Sequence, residues 1–241
     1  MAGGAGNDFL YGTGGGLDTM IGGAGNDTYY LDYDGLKDVI DDQGLPTDSD
    51  TVIMPFQITR YTLPTGIENG TISEGSQTSN LTGNDSNNAL TGNDGKNMLV
   101  GAVGRDSLFG GSGNDVLNGG TDDDVLEGGT GKDNLTGGAG KDSFLFDAAL
   151  KANVDKITDF NVADDTIQLE NQIFTKLAAT GVLNADNFVT TAAHDTNDYL
   201  IYNKATGALS YDADGSGAGV GIQIAMIGLN LALTVADFVV I

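Results

Sequence analysis

Acidic and amide side chains recur at a fixed interval over residues 82–144, where seven blocks of nine residues follow one another without a gap. The seventh position of each block holds, in order, Asn88, Asn97, Asp106, Asp115, Asp124, Asp133 and Asp142. The aspartates follow glycine-rich runs of the type G-G-x-G-x-D, whose glycines can adopt positive φ and leave backbone carbonyl oxygens accessible. Calcium takes about six to eight oxygen ligands, at about 2.3–2.6 Å, from carboxylates and carbonyls. The pattern therefore predicts calcium binding.

The spacing also predicts which side chains share an ion. One turn offers too few oxygen ligands, so an ion must lie between two stacked turns, and the next turn on the same side comes two blocks later in the chain. The predicted pairs are Asp106 with Asp124, Asp115 with Asp133, and Asp124 with Asp142. Pairs that include Asn88 or Asn97 would be weaker, because they have lost one charge.

A shorter copy of the pattern opens the chain. Residues 2–10 and 21–29 are regular blocks that carry Asp8 and Asp27, while the block between them has one extra residue and carries Asp18. Asp8 is therefore predicted to pair with Asp27 in spite of the insertion. With the three pairs above, the sequence predicts four or more calcium ions.

The candidate calcium ligands are the turn residues and the aspartates of the regular blocks. They are Gly3, Gly4, Ala5, Gly6, Asp8, Gly22, Gly23, Ala24, Gly25, Asp27, Gly101, Ala102, Gly104, Asp106, Gly110, Gly111, Ser112, Gly113, Asp115, Gly119, Gly120, Thr121, Asp122, Asp124, Gly128, Gly129, Thr130, Gly131, Asp133, Gly137, Gly138, Ala139, Gly140 and Asp142. A single aspartate in such a turn often only caps the turn. Rows of aspartates about 4.8 Å apart would instead repel one another without a cation between them.

The ninth position of every block is apolar, and this period decides the fold class. The residues are Leu90, Leu99, Leu108, Leu117, Leu126, Leu135 and Phe144. A helix would need apolar residues at i, i+3, i+4 and i+7 and would tolerate few glycines. One leucine beside a glycine cluster instead indicates a short strand followed by a tight turn. Two such units form one coil of 18 residues, and stacked coils build the core. The predicted fold is all-β, a parallel β-roll with a carboxy-terminal β-rich cap.

Shifts in composition divide the chain into four parts. Residues 1–30 and 82–146 are repeat blocks, residues 31–81 are irregular β coils that link them, and residues 147–241 form the cap. Outside the repeats, strands are predicted at 50–54, 57–63, 155–160, 165–169, 199–202, 208–211, 222–227 and 235–241. A short helix is predicted at 171–180, and a turn at 204–207 joins two of the strands into a hairpin.

The charge balance limits the partners. With 34 acidic and 10 basic residues, the net charge of −24 should repel nucleic acid and anionic membranes and attract cations. There is no cysteine, and no apolar run approaches the roughly 18 residues of a membrane helix. We expect a monomer with neither nucleic-acid binding nor membrane insertion. Because the chain begins directly in a repeat, we also expect it to be the carboxy-terminal part of a longer protein.

Three blocks resemble a known family. GGAGNDFLY, GGAGNDTYY and GGSGNDVLN are similar to the G-G-x-G-x-D-x-U-x repeat of the repeats-in-toxin (RTX) proteins. The cap segments DKITDF, DDTIQL and YNKATGALSYDADG resemble the carboxy-terminal region of hemolysin-type and serralysin-like secreted proteins. This resemblance implies an extracellular bacterial protein, exported by a type I (ABC-transporter) machine that recognises an uncleaved carboxy-terminal signal. Residues 237–241, an acid followed by four apolar residues, are similar to such a signal and are equally typical of a terminal edge strand.

Some positions depart from the repeat. Asp122 stands where glycine is usual and Ala102 begins an atypical turn, so those sites should be looser. Residues 212–216 resemble the start of an EF-hand loop, but the glycine comes too early and Gln223 replaces the bidentate glutamate, so a turn is predicted there. A further site at the end of the roll could include Asp155, Asp159 and Asp164.

Little in the sequence favours catalysis. His194, the only histidine, lies in a polar stretch, and there is no HExxH, G-x-S-x-G or phosphate-loop motif. The chain is therefore predicted to be a calcium-binding module and not an enzyme. Alternatively, it is the tail of a secreted protease, lipase or polysaccharide-modifying enzyme, or of a surface adhesin. An ice-binding face would need regular threonine ladders, which the first repeat position does not provide.

Overall fold

A computed structural model describes residues 1–33, 38–150, 153–177, 179–190, 193, 195–215 and 221–241. It is an all-β parallel solenoid of about eight turns, as the sequence predicts. The strands of the first part are β1 Ala2–Ala5, β2 Phe9–Tyr11, β3 Thr19–Ala24, β4 Thr28–Tyr30, β5 Val39–Ile40, β6 Thr51–Met54, β7 Arg60–Thr62, β8 Asn69–Ile72 and β9 Ser79–Thr82. Those of the long repeat block are β10 Ala89–Thr91, β11 Asn97–Val103, β12 Ser107–Phe109, β13 Ser112–Gly113, β14 Val116–Thr121, β15 Val125–Glu127, β16 Thr130–Gly131, β17 Asn134–Ala139 and β18 Ser143–Phe146. The remaining strands are β19 Asp155–Ile157, β20 Thr166–Leu169, β21 Gly181–Val182, β22 Phe188–Val189, β23 Leu200–Asn203, β24 Ala208–Tyr211, β25 Ile222–Met226 and β26 Phe238–Val240.

Two long sheets form opposite walls of the roll. One has the order β2-β4-β6-β8-β10-β12-β15-β18-β20-β26-β21, and the other β22-β23-β24-β25-β19-β17-β14-β11-β9-β7. Two small sheets, β1-β3-β5 and β13-β16, complete the described part. In the long repeat block every pairing is parallel, and apart from β13 and β16 the consecutive strands alternate between the two walls.

The register confirms the coil of two blocks. Leu90 lies opposite Leu108 and Leu108 opposite Leu126 in one wall, while Leu99 lies opposite Leu117 in the other. All of these leucines are fully buried. Each leucine therefore packs on its counterpart in the next coil, and stacking creates the core that no single block could enclose.

The irregular segment continues the same walls. Strand β6 pairs in parallel with both β4 and β8, and β8 pairs with β10, so no break in the ladder separates the two repeat blocks. The strand predicted at 57–63 is shorter than expected and covers only Arg60–Thr62. Ile58 is buried just before it, where its N–H donates to the Pro55 carbonyl in a turn.

The cap ends both walls. Strands β19 and β20 add to them in parallel, and the predicted hairpin is present as antiparallel β23 and β24. The helix predicted at 171–180 is wrong over the described residues, since 171–177 form turns whose N–H groups bond to the carbonyls of Glu170 and Phe174. The last predicted strand begins late, because Val235–Asp237 form a 3-10 helix closed by a Thr234–Asp237 capping box.

Among the described residues, none of the helices has the length and apolar character needed to cross a membrane.

Candidate calcium sites

The aspartates lie in two hydrogen-bonded rows along the roll. Each carboxylate Oδ1 accepts a hydrogen bond from the backbone N–H of the equivalent residue one coil earlier. In the first row, Asp106 N–H donates to Asp124 at 2.8 Å and Asp124 N–H donates to Asp142 at 3.0 Å. In the second row, Asp115 N–H donates to Asp133 at 2.7 Å. The predicted pairing at two-block spacing is thus present in the structure.

The other carboxylate oxygen of these residues is buried and has no hydrogen-bond partner. This holds for Oδ2 of Asp8, Asp27, Asp38, Asp106, Asp115, Asp124, Asp133 and Asp142. Burial raises the pKa of Asp106 to about 6 and those of Asp115 and Asp124 to about 7. An unpaired buried carboxylate oxygen is costly. A cation beside these oxygens would remove that cost, so the aspartates fit calcium.

Glycine at the second repeat position lets these oxygens pack directly against the backbone. A Cβ on Gly119 would lie 2.2 Å from Asp124 Oδ2 and 2.7 Å from the Gly137 carbonyl oxygen of the next coil. At Gly101 the corresponding distances are 2.1 Å to Asp106 Oδ2 and 2.5 Å to the Gly119 carbonyl oxygen. Carboxylate and carbonyl oxygens from two coils therefore meet beside each of these glycines, and the Cβ of any other residue would collide with them.

The two atypical turns differ in how well they keep the regular backbone. Ala102 has φ 93°, close to the 119° and 105° of Gly120 and Gly138 at the same repeat position. Asp122 also has a positive φ, at 76°, but the equivalent Gly113, Gly131 and Gly140 have φ of 128°, 146° and 154°. A non-glycine residue at positive φ costs about 1–3 kcal/mol. The turn at Ala102 therefore keeps the regular backbone conformation under strain, whereas the turn at Asp122 departs from it.

In the two repeat blocks that carry asparagine, the side-chain amides find all their hydrogen-bond partners within the protein. Asn88 Nδ2 donates to the carbonyls of Ile67 (3.1 Å) and Glu68 (3.2 Å) one coil earlier, and Asn97 Nδ2 donates to the Ser79 carbonyl at 2.8 Å. Neither side chain has a buried polar atom without a partner. The amide nitrogens thus contact the preceding coil directly, so these blocks need no ion to compensate them.

Both rows extend beyond the residues that the period predicts. The first row includes Asp50, which accepts from Asp27 N–H at 2.6 Å, and Asp165, which accepts from Asp142 N–H at 3.1 Å. The second row includes Asp38, which accepts from Asp18 N–H, and Asp155, which accepts from Asp133 N–H, both at 3.0 Å. Asp155 was among the residues predicted at the end of the roll, whereas Asp38, Asp50 and Asp165 escaped the sequence analysis because their spacing varies. They share a local signal with the repeats, since each aspartate is followed two residues later by an apolar residue of a strand.

The residues predicted at the end of the roll do not all belong to the rows. Asp159 accepts hydrogen bonds from the N–H groups of Gly137 and Gly138, and so covers the last repeat turn. Asp164 lies apart and accepts from Asn161 Nδ2 at 2.8 Å. Residues 212–215 form the predicted turn, whereas residues 216–220 and His194 lie outside the described residues.

The fold and the site together define a class of protein. A parallel β-roll whose turns bring buried, unpaired carboxylate oxygens beside backbone carbonyl oxygens is a calcium-binding solenoid. The comparison with protein families agrees, because residues 1–29, 76–108 and 109–144 match the hemolysin-type RTX calcium-binding nonapeptide repeat in four copies. The chain thus contains hemolysin-type RTX repeats, which bind calcium and provide sites for several ions. No curated protein matches the chain.

Proposed function

We propose that this chain folds when calcium fills its two rows, and that it is the carboxy-terminal export and stabilising region of a larger secreted protein. The set of buried aspartate oxygens without partners carries this proposal. Without cations the folded state would hold those carboxylates close together in a poorly solvated interior, in a chain of net charge −24. Catalytic activity belongs, in this proposal, to another part of the parent protein.

The calcium gradient across the cell envelope would then make export directional. In a calcium-poor cytosol the repeats stay unfolded and can pass through a type I exporter. Extracellular calcium-binding modules commonly have affinities of about 10⁻⁴–10⁻³ M, which suits calcium concentrations outside the cell. Because binding and folding are coupled, the ion itself drives folding after export.

The position of the tail, residues 237–241, supports the proposal that it is an export signal accessible only before folding. Strand β26 pairs in parallel with β20 and antiparallel with β21, so the tail lies inside a wall of the folded roll and not at its edge. Phe238 and Val240 are buried, whereas Ile241 is exposed and Val239 is half-buried. The exporter could bind this segment only while the chain is unfolded. Deleting 238–241 would therefore disturb folding as well as export, and substitutions of the outward side chains separate the two effects.

The direct test is far-UV circular dichroism during a calcium titration from a calcium-free state. We expect a cooperative gain of β signal near millimolar calcium, and a smaller effect of magnesium at equal concentration because magnesium needs a stricter octahedral geometry. A fully folded spectrum in excess chelator would overturn the proposal.

A further inference from the structure

We propose a calcium site outside the nonapeptide pattern, formed by Asp27, Asp42 and Asp50 in the irregular part of the roll. It rests on the proposed function only because the chain must fold for the three residues to meet. Asp42 and Asp50 lie beyond the segment 1–29 that matches the repeat family. The periodic pattern therefore assigns neither of them to a site.

The three carboxylates converge although they are far apart in the sequence. Asp27 precedes β4 and Asp50 precedes β6, and the parallel pairing of these strands places the two side chains in adjacent coils. Asp42 comes from the loop that follows β5. One oxygen of each carboxylate lies within 4.8 Å of the others. Asp27 and Asp50 are each 1% exposed, so two of the three charges are almost completely removed from water.

A second group independently points to a ligand. Tyr29 is fully buried, and its hydroxyl has no hydrogen-bond partner. Both Tyr29 Oη and the unpaired Asp27 Oδ2 come within 2.2 Å of the point where a Cβ on Gly22 would lie, so the two oxygens border the same space. An unsatisfied phenol beside carboxylates is the arrangement expected around an oxygen-coordinated cation.

In each of the three carboxylates, one oxygen atom accepts a hydrogen bond from a backbone N–H group. Asp27 Oδ1 accepts from Asp8 N–H at 2.8 Å, Asp50 Oδ1 from Asp27 N–H at 2.6 Å, and Asp42 Oδ1 from Gly44 N–H at 3.2 Å. Backbone N–H groups thus hold one oxygen of each carboxylate, and the side chains of Asp42 and Asp50 also come within hydrogen-bonding reach of each other. Three adjacent carboxylates carry a charge of about −3, which would be unfavourable in this buried setting without a cation. Burial, followed by the neighbouring carboxylates, raises the pKa of Asp50 to about 7.

Nearby Asp48 has a different role. Its Oδ2 accepts hydrogen bonds from the N–H groups of Gly25 at 3.0 Å and Leu45 at 2.8 Å. These bonds tie the loop after β5 to the turn of the preceding coil, and that loop carries Asp42. Asp48 is therefore a positioning residue for the loop, and Asp42 is the ligand that the loop supplies.

The test compares two neutralising substitutions one residue apart, Asp42→Asn and Asp41→Asn. Asp41 is exposed, and its carboxylate accepts only from Gln43 Nε2 among the described side chains. Bound calcium is counted by equilibrium dialysis of each full-length chain at saturating calcium. We expect Asp42→Asn to bind one ion fewer than the wild type and Asp41→Asn to bind the same number. Equal counts in all three proteins would overturn the site. A wild-type chain that binds no calcium would instead overturn the proposed function.

Terbium gives a second measurement that does not depend on the stability of Asp42→Asn. The chain has no tryptophan, so emission from bound terbium excited through the protein must come from neighbouring tyrosines. Tyr29→Phe removes only the unpaired hydroxyl from a packed ring, and the variant should fold. We expect it to lose part of the tyrosine-excited terbium emission of the wild type. Unchanged emission from Tyr29→Phe would overturn the proposed site.

Discussion

Replacing Asp124 by Ala tests the row arrangement most directly, because this residue lies between Asp106 and Asp142 in one row. Its Oδ1 accepts from Asp106 N–H at 2.8 Å, and its own N–H donates to Asp142 at 3.0 Å. The substitution removes a ligand from two proposed calcium sites and leaves one buried N–H unpaired. A site at ten times its Kd contributes about 1.4 kcal/mol, and an unpaired buried donor costs about 1–3 kcal/mol. We therefore expect a loss of about 4–6 kcal/mol in the free energy of unfolding.

Asp115→Ala is the matched control. Asp115 is equally buried, and its Oδ1 accepts from Asn97 N–H at 2.8 Å. Its neighbour on that side is Asn97, whose amide is hydrogen-bonded within the protein, so in the proposed arrangement Asp115 shares an ion only with Asp133. Each lost site should widen the stability deficit by about 1.4 kcal/mol per tenfold rise in calcium. We expect the deficit to grow by about 2.8 kcal/mol per decade for Asp124→Ala and by about half as much for Asp115→Ala.

The assay is urea unfolding followed by circular dichroism at several buffered calcium concentrations above the folding midpoint. The calcium dependence separates ion loss from the lost hydrogen bond, because the hydrogen bond contributes equally at every calcium concentration. Equal calcium slopes for the two variants, or a deficit that does not change with calcium, would refute the row arrangement.

Three further predictions address the turns, the pH and the tail. Gly119→Ala introduces a methyl group against Asp124 Oδ2 without backbone strain, and should weaken calcium binding at least about tenfold by calorimetry. Gly14→Ala, at φ 96° with no atom near the added methyl group, should cost about 1–3 kcal/mol whatever the calcium concentration. Burial raises the pKa of Asp115 and Asp124 from the usual value of 3.8 to about 7. Between about pH 4 and 7 the calcium-free roll therefore binds more protons than the unfolded chain, and it loses stability as the pH rises through that window. Circular dichroism in calcium-depleted buffer should accordingly show more β signal at about pH 5 than at about pH 8, and the reverse order would contradict the burial of these groups. Val239→Ser, in β26, combined with Ile241→Ser, directly after it, alters the two tail side chains that are not buried. The double variant should lose export from a host with a type I system while calcium-induced folding survives; full export would show that the signal lies elsewhere.

The amino-acid sequence by itself determined the repeat unit, the coil of two blocks and the pairing of aspartates within the repeats. The reason is that each unit is locally identical, so the same short strand and the same turn recur. Once Leu90 packs on Leu108, the register of every later coil in the block is fixed. The predicted pairing of Asp106 with Asp124, and of Asp124 with Asp142, around a shared calcium ion follows from that register.

Only the tertiary structure decided the features that depend on coils of unequal length. Asp27 reaches Asp50 over 23 residues and Asp18 reaches Asp38 over 20, and no local pattern encodes these coil lengths. The longer coil also brings Asp42 beside Asp27. The asparagine amide contacts to the preceding coil and the position of the tail inside a wall are also contacts between coils. The period therefore specified the unit that repeats, while packing between coils decided which further oxygens meet.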